Sequence, residues 1–247
     1  MHPYGSLADD YFVNLYLNTK MKLPEGRETI LNFFERVQKS FPSLQKFYTR
    51  ENDSFVLEDD KEQGQHRWIS LEPQSLCSFY INPPTPEAAL QQHQLMLELA
   101  PYMLSVSPLE CEAMDYVVGF DFNYNGNHDA LVAEALGTGF ALEPLADIED
   151  SHVLKYEPAI TISLDETCHL QAFLLIETRT TPYQVKREEY MDDPISVFFR
   201  VRKFGSLQVD DSFPDTLRLL KHHSDELLGS YVVEQILRPL AQAIATK

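Results

Sequence analysis

The sequence predicts an α+β protein built from two packed lobes. Three observations lead there. Runs with the two-residue period of strands alternate with runs at helical spacing, and through residue 127 their order is β-α-β-β-α-β, the ferredoxin-like arrangement. Residues 128–247 instead place three long strand-like runs before a long helix. No flexible linker separates the halves, since Asn125-Gly126-Asn127 is only a turn, so the lobes are expected to pack tightly.

The first strand is predicted over 10–22, with Tyr11, Val13, Leu15 and Leu17 on one face and Phe12 and Tyr16 on the other. A helix follows over 26–39, where Ile30, Phe33, Phe34 and Val37 share a side. Two strand runs, 44–57 and 67–81, flank the polar text EDDKEQGQ, which is expected to form a hairpin loop. Thr85-Pro86 opens a second helix as N-cap and first helical residue. The run 111–124 is the fourth strand, and its even positions are Tyr116, Val118, Phe120, Phe122 and Tyr124. In the second lobe, Asn127 caps a short helix over 128–136, stopped by Gly137. Strands are expected over 152–164, 169–180 and 194–204. Ser212-Phe213-Pro214-Asp215 has capping-box spacing and opens a helix to the C-terminus, with a break or bend expected near Gly229-Ser230 and Tyr231 on its apolar side.

Charge narrows the function classes. The chain has 247 residues and a net charge of −18, split evenly between the halves. Such a surface is a poor partner for nucleic acid or anionic lipid. No apolar run approaches the roughly 20 residues of a membrane helix. Between Arg67 and Lys155 there are 13 acids and no Lys or Arg, whereas Arg179, Lys186, Arg187, Arg200, Arg202 and Lys203 come later. Arg200 and Arg202 share a strand face, with Arg179 expected nearby; cross-strand ion pairing, an anion pocket or a docking patch would each use them. An acidic surface that mimics nucleic acid is a further, minor reading.

The N-terminal text MHPYGSLADDYF has neither a basic region nor an apolar stretch, so no secretory signal is expected. Cys77, Cys111 and Cys168 lie far apart in apolar text and read as buried, reduced thiols. Together these predict a cytoplasmic protein.

The most informative local feature is apolar character on both faces of the first strand. A sheet with helices on one side needs only one such face, so something must cover the other. The other lobe, a second subunit or a small ligand would do so; base stacking by RNA is disfavoured for want of cations. The ligand or interface candidates are Phe12, Tyr16, Tyr116, Phe120, Phe122 and Tyr124, and the anion or docking candidates are Arg179, Arg200 and Arg202.

Chemistry-bearing motifs are sparse. There is no nucleophile elbow, no phosphate loop and no zinc-ligand spacing. Gly137-Thr138-Gly139 follows a helix instead of preceding one. His222 and Glu226 share a helical face, and His128-Asp129 could join Glu149, Asp150 and His152, but neither group amounts to a metal site. His93 falls on the apolar side of its helix. Asp115 and Asp121 are the acids placed in an apolar setting. No metal, cofactor or catalytic residue is therefore predicted. The expected function is a non-enzymatic protein-interaction or regulatory module that binds a protein partner or copies of itself, a dimer being expected, through a sheet surface and complementary charge. The alternative is an enzyme or small-ligand binder with its site between the lobes, against the aromatic sheet face.

Overall fold

The computed structural model describes residues 4–60, 64–139, 141–208 and 211–247; residues 61–63 of the predicted polar loop lie outside them. The strands are β1 (Asp10–Thr19), β2 (Lys46–Thr49), β3 (Phe55–Glu58), β4 (His66–Glu72), β5 (Ser75–Ile81), β6 (Cys111–Asn123), β7 (Ala159–Ser163), β8 (Leu170–Glu177) and β9 (Pro194–Phe204). They form one nine-stranded sheet in the order β2-β3-β4-β5-β1-β6-β9-β8-β7, and every neighbouring pair is antiparallel. The helices are α1 (Arg27–Ser40), α2 (Pro86–Met103), α3 (His128–Leu136), α4 (Glu143–Ala146), α5 (Pro182–Arg187), α6 (Phe213–Leu227) and α7 (Arg238–Ala245). The protein is thus mixed α+β with a long C-terminal helical run.

Several elements depart from expectation for identifiable reasons. The runs 44–57 and 67–81 are each two strands, so the first half contributes six strands where four were expected. A turn closed by Arg50 N–H to Ser54 O (2.8 Å), with Asp53 at φ +59°, separates β2 from β3. Pro73-Gln74 separates β4 from β5, where Pro73 has no N–H to continue a ladder. The two halves share a single sheet: β6 pairs with β1 on one side and β9 on the other. The run expected as a strand over 152–164 is a strand only over 159–163, because side chains take its earlier backbone groups. Asn127 Nδ2 donates to Val153 O (2.9 Å), and Tyr156 N–H donates to Asp129 Oδ1 (2.6 Å). Helix α5 was not anticipated, although Thr181-Pro182-Tyr183-Gln184 forms a reciprocal capping box.

The C-terminal helix does not break at Gly229-Ser230. It widens into π-helical turns over Leu228–Leu237 and returns to α geometry as α7. The change of residues per turn rotates the positions that follow, and Tyr231, expected on the apolar side, is 62% exposed.

Register assigns every side chain to one of two faces. On the first, Tyr11, Val13 and Leu15 of β1 lie beside Phe120, Val118 and Tyr116 of β6 and Val197, Phe199 and Val201 of β9. These residues belong to one buried core with Phe33 and Val37 of α1, Met96 and Leu97 of α2, Leu131 of α3, Leu217 of α6 and Leu240 of α7. Tyr4 adds an edge contact with Phe120, with ring centres 5.0 Å apart. Beneath α2, Gln92 Nε2 donates to Ser78 Oγ (2.9 Å) and Phe79 O (3.1 Å), and His93 Nδ1 shares a 2.8 Å hydrogen bond with Ser78 Oγ.

The second face is different. None of its large apolar residues joins the helix-covered core among the described residues. The Phe12 ring packs against Gly119, where an added Cβ would sit 1.9 Å from its Cζ. Gly119→Ala should therefore displace Phe12 and destabilise the fold by about 1–3 kcal/mol, as overpacking does. Thermal melts would check this, and Phe12→Ala in the same chain should remove most of the penalty.

Candidate interaction face

The open face is built by residues that alternate with the core. At the level of Asn14 on β1 lie Phe79, Trp68 and Glu58 on one side, and Val117, Arg200 and Phe173 on the other. One step along, Phe12 is level with His66 and Phe198; one step the other way, Tyr16 is level with Asp115 and Arg202. The β4–β5 side carries an aromatic array: Trp68 stacks on Phe79 at 4.5 Å and 12°, His66 lies 4.8 Å from Trp68, and Tyr16 meets Phe79 edge-on at 5.4 Å. On the β9 side, Phe12 meets Phe198 at 5.7 Å.

Charge on this face is uneven. Arg202 holds Asp115 through both carboxylate oxygens, the Nη2–Oδ2 contact measuring 2.6 Å, and Asn18 Nδ2 adds a donor at 3.3 Å. Asp115 is nearly buried, so this pair neutralises an acid that water barely reaches. Arg200 has no such partner. Among the described residues it makes no hydrogen bond or ion pair; its Nε is buried without an acceptor, and its guanidinium rests 4.8 Å above the Phe173 ring. Burial, and then the neighbouring Arg202 charge, hold its pKa below the ordinary arginine value. A shallow basin of about 410 Å³ lies over Tyr16, Asn18, Val117, Phe173, Phe198 and Arg200.

The residues singled out from sequence divide between the two sides. Phe12 and Tyr16 are on the open face. Tyr116, Phe120 and Phe122 are in the core under the helices, closed to an outside partner, and Tyr124 packs half-buried against it. The single aromatic face read along β6 is therefore the covered one, because its even positions fall on the helix side of the sheet. Arg200 and Arg202 share the open face as expected. Arg179 lies just past β8, where Nη1 donates to Pro194 O and to Ser196 Oγ (2.9 Å) and Nη2 approaches Glu177 at 3.5 Å. Trp68, Phe79, Phe173, Leu175 and Phe198 were missed. Their alternation with core residues was visible, but it assigns no face until the register is known.

The remaining chemical groups are otherwise engaged. His93 is fully buried, and burial holds it at about 3. Burial raises Asp121, partly opposed by its hydrogen bond from Ser196. Asp129 is buried and accepts from the Thr178 hydroxyl (2.7 Å). Among the described residues, no group of three or more His, Cys, Asp or Glu side chains is placed to hold a metal ion, and no helix is long and apolar enough to cross a membrane. Cys168, expected to be buried, is exposed in the β7–β8 turn at φ +58°. Burial raises the thiols of Cys77 to about 12 and Cys111 to about 11. A thiol reagent should thus label Cys168 in the native protein, and the other two only after denaturation; counting adducts by intact mass checks this.

The fold and this face define a two-layer α+β protein whose antiparallel sheet carries an aromatic surface opposite the helices. No protein-family model matches the chain, and no curated protein matches it.

Proposed function

We propose that the chain is a non-enzymatic protein-interaction module that docks another protein surface on the open side of its sheet. One observation carries this reading: an aromatic face, free of helices among the described residues, holds a half-buried arginine with no acceptor. Half-exposed aromatic side chains gathered on a face that no helix of the described residues covers are the composition of a contact site. Its central arginine, with aromatics around it, has the composition of an interface hot spot. The complementary surface is apolar and brings a carboxylate to Arg200, since desolvating an arginine is favourable only with an acceptor in place.

Site-specific photocrosslinking tests the reading. A benzophenone amino acid replaces Phe198 on the open face or Tyr102, which is 89% exposed on α2, in cells producing the protein. Adducts that map to a defined peptide should form from position 198 and not from 102. No adduct from 198, or equal labelling from both positions, overturns the proposal.

A further inference from the structure

We infer that the occupant of the open face is a second copy of this chain, related by a two-fold axis along β1, with Arg200 of each copy set against Trp68 and Glu58 of the other. This rests on the docking reading above and names its partner. Three observations support it.

The first is position. β1 is the fifth of nine strands, so a two-fold axis along it lays β9 of one copy over β4 of the other, and β8 over β3. Aligned face-to-face packing of twisted sheets has this form, with the layers about 10 Å apart. Register then places Arg200 level with Trp68, and Phe173 level with Glu58. The Arg200 guanidinium already leans outward over Phe173, onto the strand above which the second copy's Glu58 lies. It would be capped by Trp68 as a cation–π pair and meet the Glu58 carboxylate.

The second is charge. The other in-plane two-fold, across the strands, stacks β9 on β9, and placed over the Arg200–Arg202 stretch it sets these cations against the same cations of the second copy. Like charges facing each other across a drying interface oppose that arrangement. The axis along β1 brings the unpartnered cation beside an acid, Glu58, and by symmetry it does so twice.

The third is area. The seven strands from β3 to β8 in sheet order, symmetric about β1, span about 34 Å at ordinary strand spacing and about 23 Å along the longer strands, β3 being short. Their flat footprint is on the order of 700 Å², and side-chain relief raises the accessible area towards the roughly 800 Å² per partner that a stable pair buries.

Sedimentation velocity across a dilution series, with the full chain, tests this inference. The wild type should sediment at twice the chain mass and dissociate on dilution. Arg200→Glu and Glu58→Arg should each weaken the dimer about tenfold or more, and the two changes together should bring affinity back to within about threefold of wild type. Circular dichroism melts confirm that each variant folds, and Phe198→Asp supplies a disruption independent of the charge pair. A wild-type monomer up to about 100 μM overturns the inference. So does a dimer that both single variants leave intact, or a double variant no tighter than either one. The docking reading stands or falls separately: a monomer whose position 198 still crosslinks to a different protein keeps the face and loses only the second copy, whereas no adduct from 198 removes both.

Discussion

Arg202→Met is expected to lower the unfolding free energy by about 3 kcal/mol, the low end of the range for breaking a buried pair. The cost comes from Asp115. Its side chain is 4% exposed, and Arg202 supplies two of the three side-chain donors on its oxygens. Met keeps most of the apolar stem of arginine, but it takes the guanidinium away from a carboxyl group that water reaches only in part. Arg202 is itself 26% exposed, so some solvent enters and the loss stays below that of a fully enclosed pair. Adding Asp115→Leu to Arg202→Met should recover most of the stability, because removing both partners removes the stranded charge. Urea unfolding of the four chains in the mutant cycle would check this, and an additive double variant would mean the pair contributes nothing.

The second large effect is in acid. Burial under α2 pushes His93 from its ordinary 6.5 to about 3. Between those values the unfolded chain binds a proton that the folded chain refuses, so the unfolded state holds more protons and stability rises with pH across the window. The contribution is complete above about pH 6.5 and is lost as pH falls to about 3, on the order of 4 kcal/mol at the bottom of the window. The carboxylates also titrate there, so the informative quantity is the difference from His93→Gln. That variant keeps a hydrogen-bonding group opposite Ser78 without a titrating ring, and its stability should fall less steeply between pH 6.5 and 4. Parallel slopes in urea midpoints at several pH values would contradict this account of His93.

The long helices were legible because their signals are local, whereas the short α4 and α5 were not foreseen. Thr85-Pro86 and Ser212 to Asp215 cap where expected, and Ile30, Phe33, Phe34 and Val37 of α1 are buried as their spacing implied. Strand division was less legible. Pro73 carried the signal for the β4–β5 turn, but apolar text on both sides of it resembled one long strand. The faces could not be read at all from single strands. β1 is apolar on both sides, and which side meets helices depends on its register with β5 and β6, a non-local property. For the same reason Phe12 and Tyr16 grouped with Tyr116, Phe120 and Phe122 in sequence, while the fold puts them on opposite sides of the sheet. The cationic candidates were better placed, since Arg200 and Arg202 sit two residues apart on one strand and must share a face. Their different roles, one neutralising Asp115 and the other left without an acceptor, depend on where a carboxylate lies on the neighbouring strand.

Where two copies would meet on the open sheet face, the chain carries its own reporter. Trp68 is the one tryptophan in the sequence and lies half-buried on that face. Acrylamide quenching of its fluorescence should weaken as protein concentration rises, tracking the monomer-to-dimer transition seen by sedimentation, because the second copy covers the indole. If the mass doubles while Trp68 quenching stays constant, the copies meet elsewhere and the account of this face is contradicted.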